Sequence, residues 1–274
     1  MVDVSASGDI LIFEDPKALA HDVAEWLCAL AQGSERKFAI CLSGGSTPQR
    51  LYERLADPAV ASRFPWGRVH WFWGDERFVP YDDPASNYRM ASEALLSRVP
   101  VDGGNVHAIS TKNLSPEEAA AAYEAILKRY YGTDKLDPHR PIFDVTLLGI
   151  GEDGHTASLF PGQPALEEDR RWALAIAGAR PETRITLTYP VLNSSRDVAF
   201  LATGEGKREV VARARTGLAA TGGFILLGAC TGLSIARQLR DELPTPSHGR
   251  RCPGLRQFDP IHATLSFSTW PPNS

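Results

Sequence analysis

The residue pair best suited to chemistry in this 274-residue sequence is Asp153 and His155, within the glycine-rich stretch 149–160. An apolar run over residues 143–150 leads into this stretch and predicts a buried strand. Ligands of open α/β sheets bind at the carboxyl ends of strands. A carboxylate two residues before an imidazole can fix its tautomer and leave the other ring nitrogen free as a base. We therefore predict a general base at His155; the alternative is a glycine turn with two solvated polar residues.

A second loop, which contains Gly44, Gly45, Ser46 and Thr47, lies between a predicted strand and a predicted helix. Its glycines allow the backbone to approach a ligand closely, and its hydroxyl groups can cap the helix. Free N–H groups at a helix N-terminus favour an anion such as phosphate. The loop is not a Walker A motif, because no Gly-Lys-Ser/Thr sequence follows. It predicts an anion site or, alternatively, an ordinary well-capped turn.

Basic side chains that could bind an anion follow or flank other predicted strands. Arg77 comes after the strand 69–73, and its fork-shaped guanidinium suits a phosphate or a developing oxyanion. Lys207 stands at a predicted helix start, where a lysine gains nothing from the helix dipole, so an anion partner is expected. Arg180 and Arg184 flank the start of a further strand and could add positive charge. The alternatives are a surface ion pair for Arg77 and a solvated side chain for Lys207.

The elements that must position these residues alternate between strand-like and helix-like patterns. Helices are predicted over residues 15–30, 48–56, 87–96 and 116–131 and from residue 207. Strands are predicted over residues 38–42, 69–73, 106–109, 143–150, 172–177, 184–189 and 197–203. Such alternation predicts an α/β fold with a mostly parallel sheet and helices on both faces. No repeat or low-complexity linker interrupts it, so we expect one domain over residues 1–274.

Composition restricts the possible partners and the location. The 29 Lys and Arg residues against 33 Asp and Glu residues give a net charge of −4, so no global field favours nucleic acid or an anionic membrane. No apolar run approaches the ~20 residues of a membrane span, and the first 15 residues lack the basic region of a signal peptide. The four cysteines form no C-x-x-C pair, as in proteins of a reducing compartment. We expect a cytoplasmic protein.

The last sixty residues follow a looser pattern. Residues 223–230 are apolar, residues 234–243 could form a helix, and residues 244–274 are rich in Pro, Ser, His and Arg without periodicity. We expect much of this segment to be irregular.

The motifs together resemble the 6-phosphogluconolactonase family, which is related to the glucosamine-6-phosphate deaminases. The matching stretches are 42–48, 73–80, 86–88, 148–161, 184–188 and 204–207. They occur in the family's order over roughly residues 10–215, whereas residues 217–274 lack the family's usual final strand with a Trp and an Asp. The resemblance implies a Rossmann-like, doubly wound sheet. It also implies hydrolysis of 6-phosphoglucono-δ-lactone in the oxidative pentose phosphate pathway, without a metal or an organic cofactor.

Under this resemblance each candidate residue has an expected role. His155, oriented by Asp153, takes a proton from the attacking water, while Arg77 steadies either the oxyanion or the phosphate. Asp75 contacts sugar hydroxyls or orients Arg77. The residues expected to hold the phosphate are Gly44, Gly45, Ser46, Thr47 and Lys207, with Arg180 and Arg184 as weaker candidates.

Two other functions stay open from the sequence. A glucosamine-6-phosphate deaminase or sugar-phosphate isomerase would, by resemblance, carry a Glu five residues after the histidine, where this chain has Phe160. A non-catalytic sugar-phosphate sensor would normally carry a DNA-binding module, for which the few residues before the first predicted helix leave no room. The expected partner is thus a small phosphorylated sugar lactone, and we expect a monomer or a weak homo-oligomer.

Overall fold

The computed structural model describes residues 9–218 and 224–229, which form nine strands and seven α-helices among the described residues. The strands are β1 (Asp9–Phe13), β2 (Phe38–Leu42), β3 (Val69–Trp73), β4 (Asp75–Arg77), β5 (Phe143–Leu148), β6 (Ala173–Ile176), β7 (Arg184–Leu187), β8 (Ser195–Thr203) and β9 (Phe224–Ala229). The helices are α1 (Pro16–Gly33), α2 (Ser46–Leu55), α3 (Pro58–Ala61), α4 (Asn87–Ala91), α5 (Pro116–Tyr131), α6 (Tyr189–Asn193) and α7 (Arg208–Leu218).

Six of the strands form one parallel sheet in the order β1-β9-β8-β5-β2-β3. The strands β2, β3 and β5 are buried along their whole length, as expected of a parallel sheet covered on both faces. The chain leaves β2 toward β3 on one side and leaves β5 toward β8 on the other. The position between β2 and β5 is therefore the topological switch point, at which open α/β sheets bind ligands.

The remaining three strands form a small antiparallel sheet in the order β4-β7-β6. It starts one residue after β3, and the Leu187 N–H donates to the Gly74 carbonyl at 2.8 Å, which ties the two sheets together. The small sheet thus stands against the carboxyl end of β3. Its strands bring residues 173–187 back to the edge of the large sheet at which the loops after β2 and β5 lie.

Local sequence explains where the long helices begin and end. Asp15 caps α1 by accepting the N–H groups of Lys17 and Ala18. A capping box begins α5, in which Ser115 and Glu118 accept each other's backbone N–H groups, and Gly132 ends that helix in the left-handed conformation. No helix among the described residues has the length and apolarity that crossing a membrane would require.

The structure confirms most of the predicted elements and corrects three points. The predicted strand 106–109 does not form; Val106 makes a single bridge to Trp71 in an otherwise irregular segment. The loop predicted after β3 contains the short strand β4, and the strands β6 and β7 join it in the antiparallel sheet instead of the parallel one. The second half of the predicted helix 87–96 is a π-helical turn, Ser92–Leu96.

The apolar segment 223–230 contributes the strand β9, although residues 217–274 lack the family's usual final-strand sequence. This strand lies between β1 and β8 and pairs in parallel with both. Three expectations from the sequence lie outside the described residues: the helix over residues 234–243, the irregular structure of residues 244–274, and the state of two cysteines, Cys230 and Cys252.

Candidate active site

Four loops meet at the carboxyl edge of the parallel sheet because β8, β5, β2 and β3 are adjacent and parallel. They are residues 204–207, 149–155, 43–48 and 74–77, the loops in which the sequence placed its candidate residues. The antiparallel β6-β7 hairpin adds Arg180 and Arg184 to the same edge. The hydrogen bonds and glycine contacts described below connect these loops into one site.

Asp153 and His155 form the predicted pair. The Asp153 Oδ1 atom lies 2.5 Å from Nδ1 of His155 and also accepts the His155 backbone N–H at 3.2 Å. Burial disfavours ionisation of Asp153, but these hydrogen bonds and the charge of Arg180 outweigh it and lower the pKa of the carboxyl. The ionised carboxylate can only accept, so Nδ1 carries the proton and the lone pair of Nε2 is free.

Gly151 is the residue that makes room for this pair. A Cβ atom built at position 151 would overlap Nδ1 and Cε1 of His155 and would lie 2.5 Å from Oδ1 of Asp153. The φ angle of Gly151 is not positive, so side-chain packing, and not backbone conformation, requires a glycine here. Gly154, by contrast, has a φ angle of 90° and turns the chain between Asp153 and His155.

Phe160 supports the pair from its other side. The rings of His155 and Phe160 lie 4.6 Å apart, and the guanidinium of Arg180 lies 4.9 Å from the centre of the same Phe160 ring. Nη2 of Arg180 donates to Oδ2 of Asp153 at 2.7 Å. Arg180, predicted as a weak phosphate ligand, thus contacts the carboxylate that orients the imidazole.

The N-terminus of α2 differs from the prediction in a way that favours an anion. Gly45, with a φ angle of 104°, is the N-cap residue, and no side chain caps the helix. Ser46 therefore begins the helix and is not its cap, while Pro48 is its third residue. The first N–H groups of this ten-residue helix are left for another acceptor. The Thr47 hydroxyl lies 2.7 Å from the hydroxyl of Thr203 at the end of β8.

Arg77 and Arg184 are opposite each other in the antiparallel pairing of β4 and β7. Each has a buried Nε–H without a hydrogen-bond partner among the described residues. Nη1 of Arg77 donates to the Ala85 carbonyl at 2.6 Å, and Nη2 of Arg184 lies 3.3 Å from Glu182. Burial, and then the adjacent charge of Arg77, lower the pKa of Arg184. Two neighbouring guanidinium groups with unused donors are an arrangement that an anion would stabilise.

Lys207 is the last residue of the 3-10 turn Glu205–Lys207, and α7 begins at the next residue, one later than the sequence predicted. Lys207 is half-buried and makes no ion pair within the described part of the chain. The neighbouring Gly206 lies against the Glu152 carboxylate, where an added Cβ would come within 2.8 Å of Oε1. The loop after β8 therefore contacts the loop that carries His155.

Asp75 is buried and holds the loops together. Its Oδ2 atom accepts the Ser158 hydroxyl at 2.6 Å, and its carbonyl accepts Nδ2 of Asn87 at 2.9 Å. Asn87 in turn packs against Gly44, where an added Cβ would overlap the amide. Among the described residues the Asp75 carboxylate contacts Asn87 and Ser158, and the roles expected for it toward Arg77 or the sugar hydroxyls stay predictions.

Glu76 is a buried carboxylate that holds the start of α4. It accepts the backbone N–H groups of Arg77, Asn87 and Tyr88, each at 2.7 Å. Burial raises the pKa of Glu76 to about 7, although these three N–H groups favour its ionised form. The three bonds fix Arg77 relative to Asn87.

The structure brings the predicted residues of all four loops to one edge of the sheet. Sequence reasoning had not assigned a role to Asn87, Ser158 or Thr203, although each stands in or beside a motif that it had noted. No group of three or more metal-ligating side chains occurs within residues 9–218 and 224–229.

Comparison with known proteins identifies relatives that match most of the chain. A family model described as glucosamine-6-phosphate isomerases/6-phosphogluconolactonase matches residues 14–221. A probable 6-phosphogluconolactonase 4, chloroplastic, from Oryza sativa is 41% identical over 215 residues, which are 75% of this chain but only 66% of the rice protein, just under two thirds of its length.

This chain covers a larger share of the length of two further relatives. A 6-phosphogluconolactonase from Synechocystis is 39% identical over 77% of this chain and 82% of its own length. The solved structure of 6-phosphogluconolactonase from Trypanosoma brucei superposes with a TM-score of 0.70 at 30% identity, covering 86% of this chain and 100% of that one.

Proposed function

Because the chain belongs to the family of glucosamine-6-phosphate isomerases and 6-phosphogluconolactonases, we propose that it hydrolyses 6-phosphoglucono-δ-lactone to 6-phosphogluconate. The observation that carries this proposal is the Asp153–His155 pair at the switch point, with a free Nε2 and two unpartnered guanidinium donors on the same edge. A lactone hydrolase needs one base for water and cations for a phosphate, and these residues supply both. The reaction belongs to the oxidative pentose phosphate pathway.

In the mechanism that we propose, Nε2 of His155 takes a proton from water as the water oxygen attacks the lactone carbonyl. The carbonyl oxygen becomes an oxyanion in a tetrahedral intermediate. As the intermediate collapses, the bond between the carbonyl carbon and the ring oxygen breaks, and the imidazolium returns the proton to that ring oxygen. The lactone is already activated, so one well-oriented base is a sufficient catalyst. Asp153 keeps the imidazole in the required tautomer throughout.

The phosphate group of the substrate would lie where the uncapped N-terminus of α2 meets the basic side chains. Gly44, Gly45, Ser46 and Thr47 would contribute backbone N–H and hydroxyl donors, and Lys207 and Arg184 would contribute charge. Arg77, held beside Arg184 by strand pairing, is within the same anion-binding region. Asp75 supports this region through Asn87 and Ser158 from the buried side.

A deaminase or isomerase is the second candidate, and the family model covers it equally well. The chain has Phe160 beside the imidazole, where resemblance would place a ring-opening carboxylate, and that side chain is buried against His155. The phenyl ring of Phe160 cannot supply the acid that opening a sugar ring would need at this position. Phe160 therefore favours lactone hydrolysis.

The proposed function predicts that the purified protein accelerates the loss of freshly generated 6-phosphoglucono-δ-lactone above its spontaneous hydrolysis and releases no ammonia from glucosamine 6-phosphate. Both reactions would be followed with the same preparation, and the H155Q variant would give the protein-containing blank. Ammonia release at a rate comparable to lactone loss would overturn the assignment in favour of a deaminase. Binding of 6-phosphogluconate without either reaction would indicate a sensor.

Lys207→Ala is expected to raise the KM for the phosphorylated lactone by about 10- to 100-fold with a smaller change in kcat. A charge-assisted contact contributes roughly 1.5–3 kcal/mol, and the phosphate is remote from the reacting carbonyl. Steady-state kinetics with phosphorylated and unphosphorylated gluconolactone would test this, with the exposed Lys135→Ala as the matched control. Equal losses with both lactones would show that Lys207 does not bind the phosphate.

A further inference from the structure

We propose that Arg180 is a positioning residue for the general base, which holds the Asp153 carboxylate against the imidazole of His155. This inference rests on the proposed function and extends it to a residue that does not touch the substrate. It also replaces the weaker expectation, drawn from the sequence, that Arg180 binds the phosphate.

The geometry that carries the proposal is a closed set of contacts among four side chains. The two carboxylate oxygens of Asp153 are divided between partners, with Oδ1 on His155 and Oδ2 on Nη2 of Arg180. Arg180 and His155 then both pack against Phe160. A carboxylate held at both oxygens cannot rotate away from the imidazole. The hydrogen bond from Asp153 and the packing of Phe160 then together fix the position of Nε2 of His155.

The bidentate use of Asp153 matters because this carboxylate is not buried. The side chains of Asp153 and Arg180 are 41% and 43% exposed, so water competes for both. A lone hydrogen bond to His155 would leave the carboxylate free to change rotamer in such a site. Arg180 restrains it, and the Phe160 ring restrains Arg180 by a cation–π contact.

Among the neighbouring charged side chains, Arg180 is the cation that contacts the Asp153 carboxylate. In the described part of the chain, Glu152 places its carboxylate against Gly206 and its carbonyl 3.3 Å from Arg213, away from the pair. Glu182, on the same hairpin as Arg180, pairs with Arg184. His155 and Arg180 are the two charged or titratable partners that favour the ionised form of Asp153.

The test compares Arg180→Met, which keeps a flexible side chain on the Phe160 ring, with Arg180→Lys, which keeps the charge. We expect the pKa of Asp153 to rise in R180M, because a positive charge that favours the carboxylate is lost, and to stay close to the wild-type value in R180K, which keeps that charge. Carboxyl NMR titration, with D153N to assign the signal, measures this without substrate. Arg170→Met, which removes a fully exposed arginine, is the matched control.

Kinetics on the lactone give the second readout. We expect R180M to lower kcat by about tenfold, a smaller loss than the roughly 10²-fold cost of displacing a catalytic group by 1 Å, with KM within a factor of about two. An unchanged Asp153 titration in R180M overturns the proposal, and so does a rise in KM for the phosphorylated lactone alone, which would make Arg180 a phosphate ligand. Because the titration needs no turnover, it separates this proposal from a failure of the lactonase assignment.

Discussion

Replacing His155 with Gln is expected to remove nearly all catalysed lactone hydrolysis while the protein stays folded. Glutamine keeps a polar side chain of similar length beside Asp153 but cannot take a proton from water. The loss of a general base costs about 10²- to 10⁴-fold in kcat. Binding of 6-phosphogluconate should change little, because the phosphate contacts lie on other loops.

The measurement is kcat/KM for freshly prepared lactone, corrected at each substrate concentration for spontaneous hydrolysis. His139→Gln is the matched control, because His139 is exposed and lies before the start of β5, at the opposite edge of the sheet. The melting temperature of each variant reports on folding. A corrected turnover of H155Q close to that of the wild type would remove this residue from the mechanism.

Gly151→Ala is expected to reduce kcat/KM by about 100-fold, nearly as much as loss of the base itself. The new methyl group would occupy the space of the His155 ring and crowd the Asp153 carboxylate, so both must move. A displacement of about 1 Å in a catalytic group costs on the order of 10²-fold in rate. The backbone itself tolerates alanine, since the φ angle of Gly151 is not positive.

Gly149→Ala provides a demanding control for this variant because it lies two residues away in the same loop. There an added Cβ would make only an ordinary contact, 3.8 Å from the Ser43 hydroxyl. We expect G149A to retain most of its activity. Equal activities of G151A and G149A would mean that the loop adapts and that the observed packing does not position His155.

The sequence was a good guide to the strands and to the site loops for a physical reason. The runs that form β2 and β3 are apolar at nearly every position, as strands buried on both faces must be, so their bounds were predicted correctly. Polar residues that follow such strands gather at one edge whenever the strands are parallel. That rule accounts for the position of Asp153, His155, Lys207 and Arg77 at one edge of the sheet.

The sequence could not give the contacts that depend on non-local packing. The strand β4 has only three residues, all of them charged, and its pairing with β7 puts Arg77 opposite Arg184 across more than one hundred residues of chain. The contact between Arg180 and Asp153 depends on how that hairpin folds back. The need for glycine at 151 depends on side chains later in the same loop, whereas a glycine in sequence suggests only a special backbone angle.

The place of β9 in the sheet has a consequence for the order in which the molecule can assemble. Residues 9–13 are near the start of the chain, yet β1 pairs with β9 alone among the described strands, and β9 ends at residue 229. During synthesis on the ribosome, β1 is therefore made more than two hundred residues before its sheet partner β9. The strands β2, β3, β5 and β8 pair with one another and carry the site loops. We infer that the edge with the site loops can form first and that β1 and β9 join the sheet last.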